Sequence, residues 1–235
     1  MSERRLSRRT AALALALGLA VTGCSGSKEN AGPKLSPDEA MAQAKKALDE
    51  TSGVQLDLYT DNLPSNVSGV LSGSGVGTHA PAFQGSIKVQ VFGAPVEVPI
   101  IAVGGKVYAK LFGAPYAAIN PKKYGAPDPA SLFSADHGLS GFLTSTTGLS
   151  AGQTVRGGTD NKEILTEYTG SLPASVVSRL IPSATGDDFT AVYTITEAGE
   201  LREAKLTGEF YPGAGDVTYT VSLTNYGTGQ DIKAP

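Results

Sequence analysis

The chain has 235 residues, 40% hydrophobic and 7% aromatic, with 19 Lys and Arg against 22 Asp and Glu and a formal charge of −3. That balance gives no overall electrostatic footprint for nucleic acid or for anionic headgroups, so any membrane association is expected to come from an anchor rather than a basic face. One cysteine excludes an internal disulfide, and with His79 and His137 as the sole histidines no nucleophile, metal site or cofactor site is predicted.

The chain opens with Arg4, Arg5, Arg8 and Arg9, runs apolar from Ala11 to Val21 and turns small at Thr22-Gly23, the layout of an export signal over residues 1–23. The apolar run is about half of what a permanent span needs. Val21-Thr22-Gly23-Cys24 resembles a bacterial lipobox, in which the cysteine sulfur is acylated and the bond before it is cut. Cys24 is therefore expected to anchor the exported chain to the outer face of the cytoplasmic membrane, acyl burial contributing about 0.8 kcal/mol per CH₂. Arg8-Arg9 is compatible with the twin-arginine export route as well as with the general one. Cleavage removes Glu3 and the four arginines, a net +3, and takes the formal charge from −3 to −6.

Residues 24–35 read as the lipidated N-terminus and a flexible tether, broken by Gly32-Pro33, and residues 36–235 as one domain large enough for a sizeable core. Ser36 and Glu39 have capping-box spacing around Pro37, and Met41, Ala44 and Leu48 share a face, which predicts a first helix. After Gly53 the period falls to 2. Val54, Leu56 and Leu58 alternate with polar residues, and residues 67–78 form a glycine-laden strand or hairpin. Next, Phe83, Ile87, Val89 and Val91 oppose Gln84, Ser86, Lys88 and Gln90, and a return strand carries Val96 and Val98. Leu139, Phe142 and Leu143 fit a short helix limited by glycines, and Val176, Val177 and Leu180 share the face of another between Pro173 and Pro182. The last strand alternates Val217, Tyr219, Val221 and Leu223 with Thr218, Thr220 and Ser222.

Nine or ten strands and three helices without regular βαβ alternation predict an α+β fold with a mostly antiparallel sheet. Glycines within strands, among them Gly69, Gly73, Gly75 and Gly85, permit sharp coiling, so a strongly curved sheet wrapped around its helices is expected. Residues 75–80 spell Gly-x-Gly-x-x-Ala, but Pro81 and a β-alternating run follow where a phosphate loop needs a helix. No Gly-x-Ser-x-Gly elbow occurs, and Asp136-His137 and Asp187-Asp188 read as solvated turns. The apolar inner face is either solid core or, since Trp is absent and small Val and Ala are common, the lining of an apolar cavity.

The order and spacing of "IKVQVFGAPVEVPIIAVGGKVYAKL", "DPASLFSADHGLSGFL", "GSLPASVVSRLIP" and "VSLTNYG" resemble the actinobacterial lipoproteins grouped as the LppX/LprA/LprF/LprG family, most of all its LprG members. The likeness covers nearly the whole mature chain, with Tyr226 standing where LprG members carry Trp. It implies a half-barrel of curved antiparallel sheet with helices on the concave face, similar to the lipoprotein carrier fold. It also implies a non-enzymatic, monomeric carrier that holds the acyl chains of triacylated lipids or glycolipids and moves them across the envelope, with a membrane lipid exporter as partner. The candidates to line the acyl site are Val54, Leu56, Leu58, Ile87, Val89, Val91, Val96, Val98, Leu139, Phe142, Leu143, Val176 and Leu180. The alternative is a structural or chaperone-like lipoprotein with a solid core and a protein partner.

Overall fold

The structure, a computed structural model, describes residues 35–91, 93–124, 126–158 and 161–235, so the predicted signal, Cys24 and all but the last residue of the tether lie outside it. Helix α1, Pro37–Glu50, begins at the predicted capping box. The Ser36 N–H donates to Glu39 Oε2 at 2.9 Å and the Glu39 N–H donates back to Ser36 Oγ at 3.4 Å, satisfying two donors that a helix start leaves orphaned. Its buried face is Ala40, Met41, Ala44 and Leu48, spaced for one side of a 3.6-residue period.

The strands follow as β1 Gly53–Tyr59, β2 Gly69–Thr78, β3 Ala82–Val91, β4 Ala94–Val103, β5 Lys106–Ala109 and β6 Ala117–Ile119. Two 3-10 turns, Pro121–Tyr124 and Pro129–Phe133, lead to α2, Leu139–Ser145. Then come β7 Thr147–Gly157, β8 Glu163–Pro173, α3 Ala174–Leu180, β9 Asp188–Thr196, β10 Leu201–Gly208 and β11 Val217–Thr224. All pair antiparallel in one 11-stranded sheet, ordered β6-β5-β4-β3-β2-β1-β11-β10-β9-β8-β7. The strand beyond the predicted ten is β6, whose three residues are too few to show a period of 2.

The sheet is curved but not closed into a barrel, since β6 and β7 are both edges, and the helices lie in its concavity as expected. The join between its two halves is β1 against β11, in the register Leu56↔Leu223 and Leu58↔Val221. Inward positions along both halves feed one apolar cluster that includes Met41, Leu48, Leu56, Ile100, Phe142, Leu143, Val177 and Leu223. In the C-terminal half the interior is filled by rings. Phe210 meets Phe189 and Tyr219 edge-on, each at 4.8 Å between centroids, the arrangement that aromatic quadrupoles favour.

The N-terminal half solves its packing differently. Gly73, Gly75 and Gly77 of β2 face inward, in register with Leu58, Leu56 and Val54 of β1, and Gly85 of β3 is their neighbour. A Cβ at Gly77 would lie 1.9 Å from the Phe133 ring, and Cβ atoms at Gly75 and Gly85 would lie 2.6 and 2.9 Å from the Phe83 ring. The glycines thus let Phe83 and Phe133, stacked at 6.4 Å, rest on the backbone of the sheet.

Polar ties fix the helical layer to the sheet. Lys45 Nζ donates to Asp49 Oδ2 at 2.7 Å and to the Ala135 carbonyl at 2.9 Å, joining α1 to the segment that leads into α2. Thr146 Oγ1 bonds the Phe142 carbonyl and the Tyr193 hydroxyl, each at 2.8 Å, joining the end of α2 to β9. His79, in the turn after β2, bonds the Leu48 carbonyl near the end of α1, and exposed His137 lies in the turn before α2. On the outer face the C-terminal segment packs Ile232 on Ala82 and Ile101, with Tyr108 and Tyr116 alongside.

Candidate functional site: an apolar ramp on the concave face

Burial of the inward residues falls in the same direction on adjacent strands. On β1 it runs from Val54 and Leu56, both buried, to half-buried Leu58; on β4 it runs from Ala102, Ile100 and Val98, buried, to half-buried Val96. On β3 it runs from buried Phe83 through half-buried Ile87 and Val89, and Val70 of β2, in register with Val89, is also half-buried. The 3-10 turn at Pro129–Phe133 packs on β2, β3 and β4, and its Phe133 ring covers Gly77 and stacks on Phe83 at the deep end. Beyond it, Leu58, Val70, Ile87, Val89 and Val96 form a ramp that rises from the core to solvent at the end of the sheet carrying the β3–β4 turn.

The ramp sorts the residues picked out in the sequence. Val54, Leu56, Val98, Leu139, Phe142, Leu143 and Leu180 are in the buried cluster, and Leu58, Ile87, Val89, Val96 and Val176 are half-buried against it. Val91 needs correction: it is the last residue of β3, paired with Ala94 across the turn, and is 40% exposed. Strand alternation gave it the right face, but the helical layer stops short of it. The neighbouring position, Gln90, is buried although polar, because its amide donates to the Pro64 and Val67 carbonyls at 2.8 and 2.7 Å.

Two tyrosines fasten the top of the ramp: Tyr211, which sequence reading did not single out, and Tyr219, read there as one of the alternating positions of the last strand. Val70 stands at a bulge in β2; its N–H donates to the Tyr211 hydroxyl at 3.2 Å, and Tyr219 donates to its carbonyl at 2.6 Å. Tyr211 donates in turn to Tyr219 at 2.8 Å, so the ring of hydrogen bonds is complete. Burial, with Tyr211 beside it, raises the Tyr219 phenol far above its usual range, and burial pushes that of Tyr193 up to about 12. Tyr226, also raised chiefly by burial, donates to the Leu201 carbonyl at 2.8 Å and lies under the Arg202 guanidinium at 5.7 Å. Arg202 is itself held by Glu163 and Glu200, and its hydrogen bond to Glu163 lowers that carboxylate's pKa.

The opposite face of the same strands is polar. Asp57, Tyr59, Ser72, Ser86, Lys88 and Glu97 line a shallow hollow of about 340 Å³ there, with Lys88 in register with Glu97. Leu58, Gly73 and Ser74 also border it, and most of the side chains around it are polar or charged. Among the described residues no group of three or more His, Cys, Asp and Glu is placed to hold a metal ion. The Gly-x-Gly-x-x-Ala stretch is strand β2 running into a turn, with no helix after it.

An open antiparallel sheet curved around three helices, with an apolar slope running out of the core, defines a half-barrel. Among the solved structures that share this architecture are two mycobacterial proteins. That of LprF from Mycobacterium bovis aligns with TM-score 0.70 at 17% identity, covering 87% of this chain and 99% of that one. That of lipoprotein LppX from Mycobacterium tuberculosis aligns with TM-score 0.60 at 18% identity, covering 84% and 98%. Curated proteins give no match. The family described as LppX_LprAFG lipoprotein matches residues 36–234, and the chain belongs to that lipoprotein family. No helix among the described residues is long and apolar enough to cross a membrane.

Proposed function

We propose that the protein is an exported lipoprotein, acylated on Cys24, that takes up the acyl chains of lipids or glycolipids between its sheet and helices and carries them across the envelope without chemical change. The observation that supports this is the ramp: Leu58, Val70, Ile87, Val89 and Val96 present a continuous apolar slope leading to the buried cluster. A slope of this kind lets an acyl chain slide from solvent to core without passing a charged residue. Sixteen carbons represent roughly 12 kcal/mol gross at about 0.8 kcal/mol per CH₂. A bilayer offers the chain a similar gain, so transfer between the two is close to neutral, which suits a shuttle.

No residue on the ramp can act as nucleophile, general base or metal ligand, so the bound lipid is expected back intact. The competing assignment, a chaperone-like lipoprotein with a solid interior, draws on the rings that fill the C-terminal half. Organic-solvent extraction of the full chain purified from membranes, followed by mass spectrometry, separates the two. Acyl lipid recovered in stoichiometric amount is the expected result. Extracts without lipid other than the Cys24 acyl groups would support the solid interior, and free fatty acid would support a hydrolase.

A further inference from the structure

We infer that Phe83 is the end stop of the ramp and sets the length of acyl chain that the protein selects, which rests on the carrier reading proposed above. Along β3 the inward positions run Phe83, Gly85, Ile87 and Val89, and across from them on β2 lie Gly77, Gly75, Gly73 and Val70. The Phe83 side chain leans along its own strand toward the open end. A Cβ at Gly75 would meet its ring tip, Cζ, at 2.6 Å, and one at Gly85 would meet the same atom at 2.9 Å. The ring therefore fills the space above a facing pair of glycines, two residues nearer the open end than its own position.

Burial changes at that row. Level with the ring tip, Leu56 of β1 and Ile100 of β4 are 3% and 1% exposed, whereas one row nearer the open end Leu58 and Ile87 are half-buried. Phe133 stacks on Phe83 at 6.4 Å and covers Gly77, so the wall is backed and not free to fold away from the open end. Glycine inside a strand gives up packing that a side chain would supply. Where two of them face each other beneath one ring, the depth of the slope is decided by that ring and not by the strands that floor it.

The length that remains fits one lipid chain. From Gly85 to Val89 the strand rises about 13 Å, at roughly 3.3 Å per residue. One leaflet of a bilayer gives an acyl chain about 15 Å, half the hydrocarbon core. A chain of leaflet length, its methyl end against Phe83, thus brings its headgroup to water at the open end. A longer chain leaves methylenes outside, and each of these lowers its share about fourfold against a bilayer that would bury them. Without the ring, the slope gains the two residues from Gly85 back to position 83, about 7 Å.

The full-length protein is reconstituted in phosphatidylcholine vesicles holding equal amounts of lauroyl, palmitoyl and eicosanoyl lysophosphatidylcholine, each with a diazirine at its terminal carbon. After photolysis, mass spectrometry reads which chain is attached and where. In the parent, palmitoyl adducts at Phe83, Ile87 or Phe133 are expected to outnumber eicosanoyl ones about tenfold or more. Phe83→Leu and Phe83→Ala are expected to bring the eicosanoyl share level with the palmitoyl share or above it. At Gly73 the nearest atom to an added Cβ is the movable Ile87 Cγ2, at 3.2 Å. Gly73→Val therefore raises the floor one row nearer the open end and is expected to favour lauroyl, which decides the question if the Phe83 variants do not fold. Unchanged shares in these variants overturn the inference and leave the carrier standing. An equal shift in Phe189→Leu, a ring variant of the C-terminal half, also overturns it, because general loosening would then be the cause. A parent chain with no adduct on the ramp overturns inference and carrier together.

Discussion

The ring of Phe133 lies directly on the backbone of Gly77, so near that a Cβ there would sit 1.9 Å from the ring. A residue of the 3-10 turn thereby seats the helical layer at the deep end of the ramp. Gly77→Ala forces the ring away and is expected to cost about 1–3 kcal/mol as an overpacked site. Phe133→Ala, which leaves a hole instead, is expected to cost about 3–5 kcal/mol. Urea unfolding of both variants checks this; a Gly77→Ala chain as stable as the parent would show that the ring has room to move.

Along the ramp, depth should decide whether a large side chain blocks lipid or damages the fold. Ile87→Trp and Val89→Trp, at half-buried positions, are expected to reduce the lipid recovered per chain severalfold with little change in the unfolding midpoint. Leu143→Trp, at a fully buried position, is expected to cost about 1–3 kcal/mol or more. Val91→Trp, at 40% exposure, is expected to change neither. Equal lipid content in all four variants would remove the ramp from the binding path.

Alkaline pH should weaken the fold through its buried tyrosines. The Tyr193 phenol is raised from 10.0 to about 12, and Tyr219 and Tyr226 are raised further. A phenol that ionises later in the native state leaves that state binding more protons than the unfolded chain. The stabilisation is therefore whole below pH 10 and is lost as pH rises toward 12, at about 1.4 kcal/mol per pH unit from Tyr193 alone. Unfolding curves through this range, with tyrosinate absorbance followed in parallel, are expected to show these phenols titrating only as the chain unfolds. Early, independent titration of all nine tyrosines would contradict the buried network.

Cys24→Ala removes the one thiol of the chain. Membrane fractionation is expected to find the variant released or left unprocessed. A processed, membrane-bound Cys24→Ala protein would mean that the anchor lies elsewhere.

Local signals in the sequence translated well into structure. Ser36, Pro37 and Glu39 define the start of α1 because a capping box is satisfied within four residues. The alternation from Val217 to Leu223 gives the inward face of β11 because it needs only the pleat. Information that depends on distant partners was not legible. Gln90 looks solvent-facing until the loop carrying Pro64 and Val67 supplies its acceptors, and Val91 looks buried until the extent of the helical layer is known. Strand glycines read as points of curvature, whereas what they receive, Phe83 and Phe133, depends on register and on a turn some fifty residues away.

The two free edges, β6 and β7, bear on how such an interior could hold a guest at all. A closed barrel fixes its girth, because strand number and shear set the radius and no ladder can widen alone. A sheet with unjoined margins has no such hoop. It can flatten by a small change of twist shared among its successive strand pairs, lengthening no hydrogen bond appreciably, while the helices ride outward on the Phe133 and Thr146 attachments. On the proposed function, volume for an acyl chain would then not have to exist beforehand as a void; it would be drawn from curvature and given back when the chain leaves.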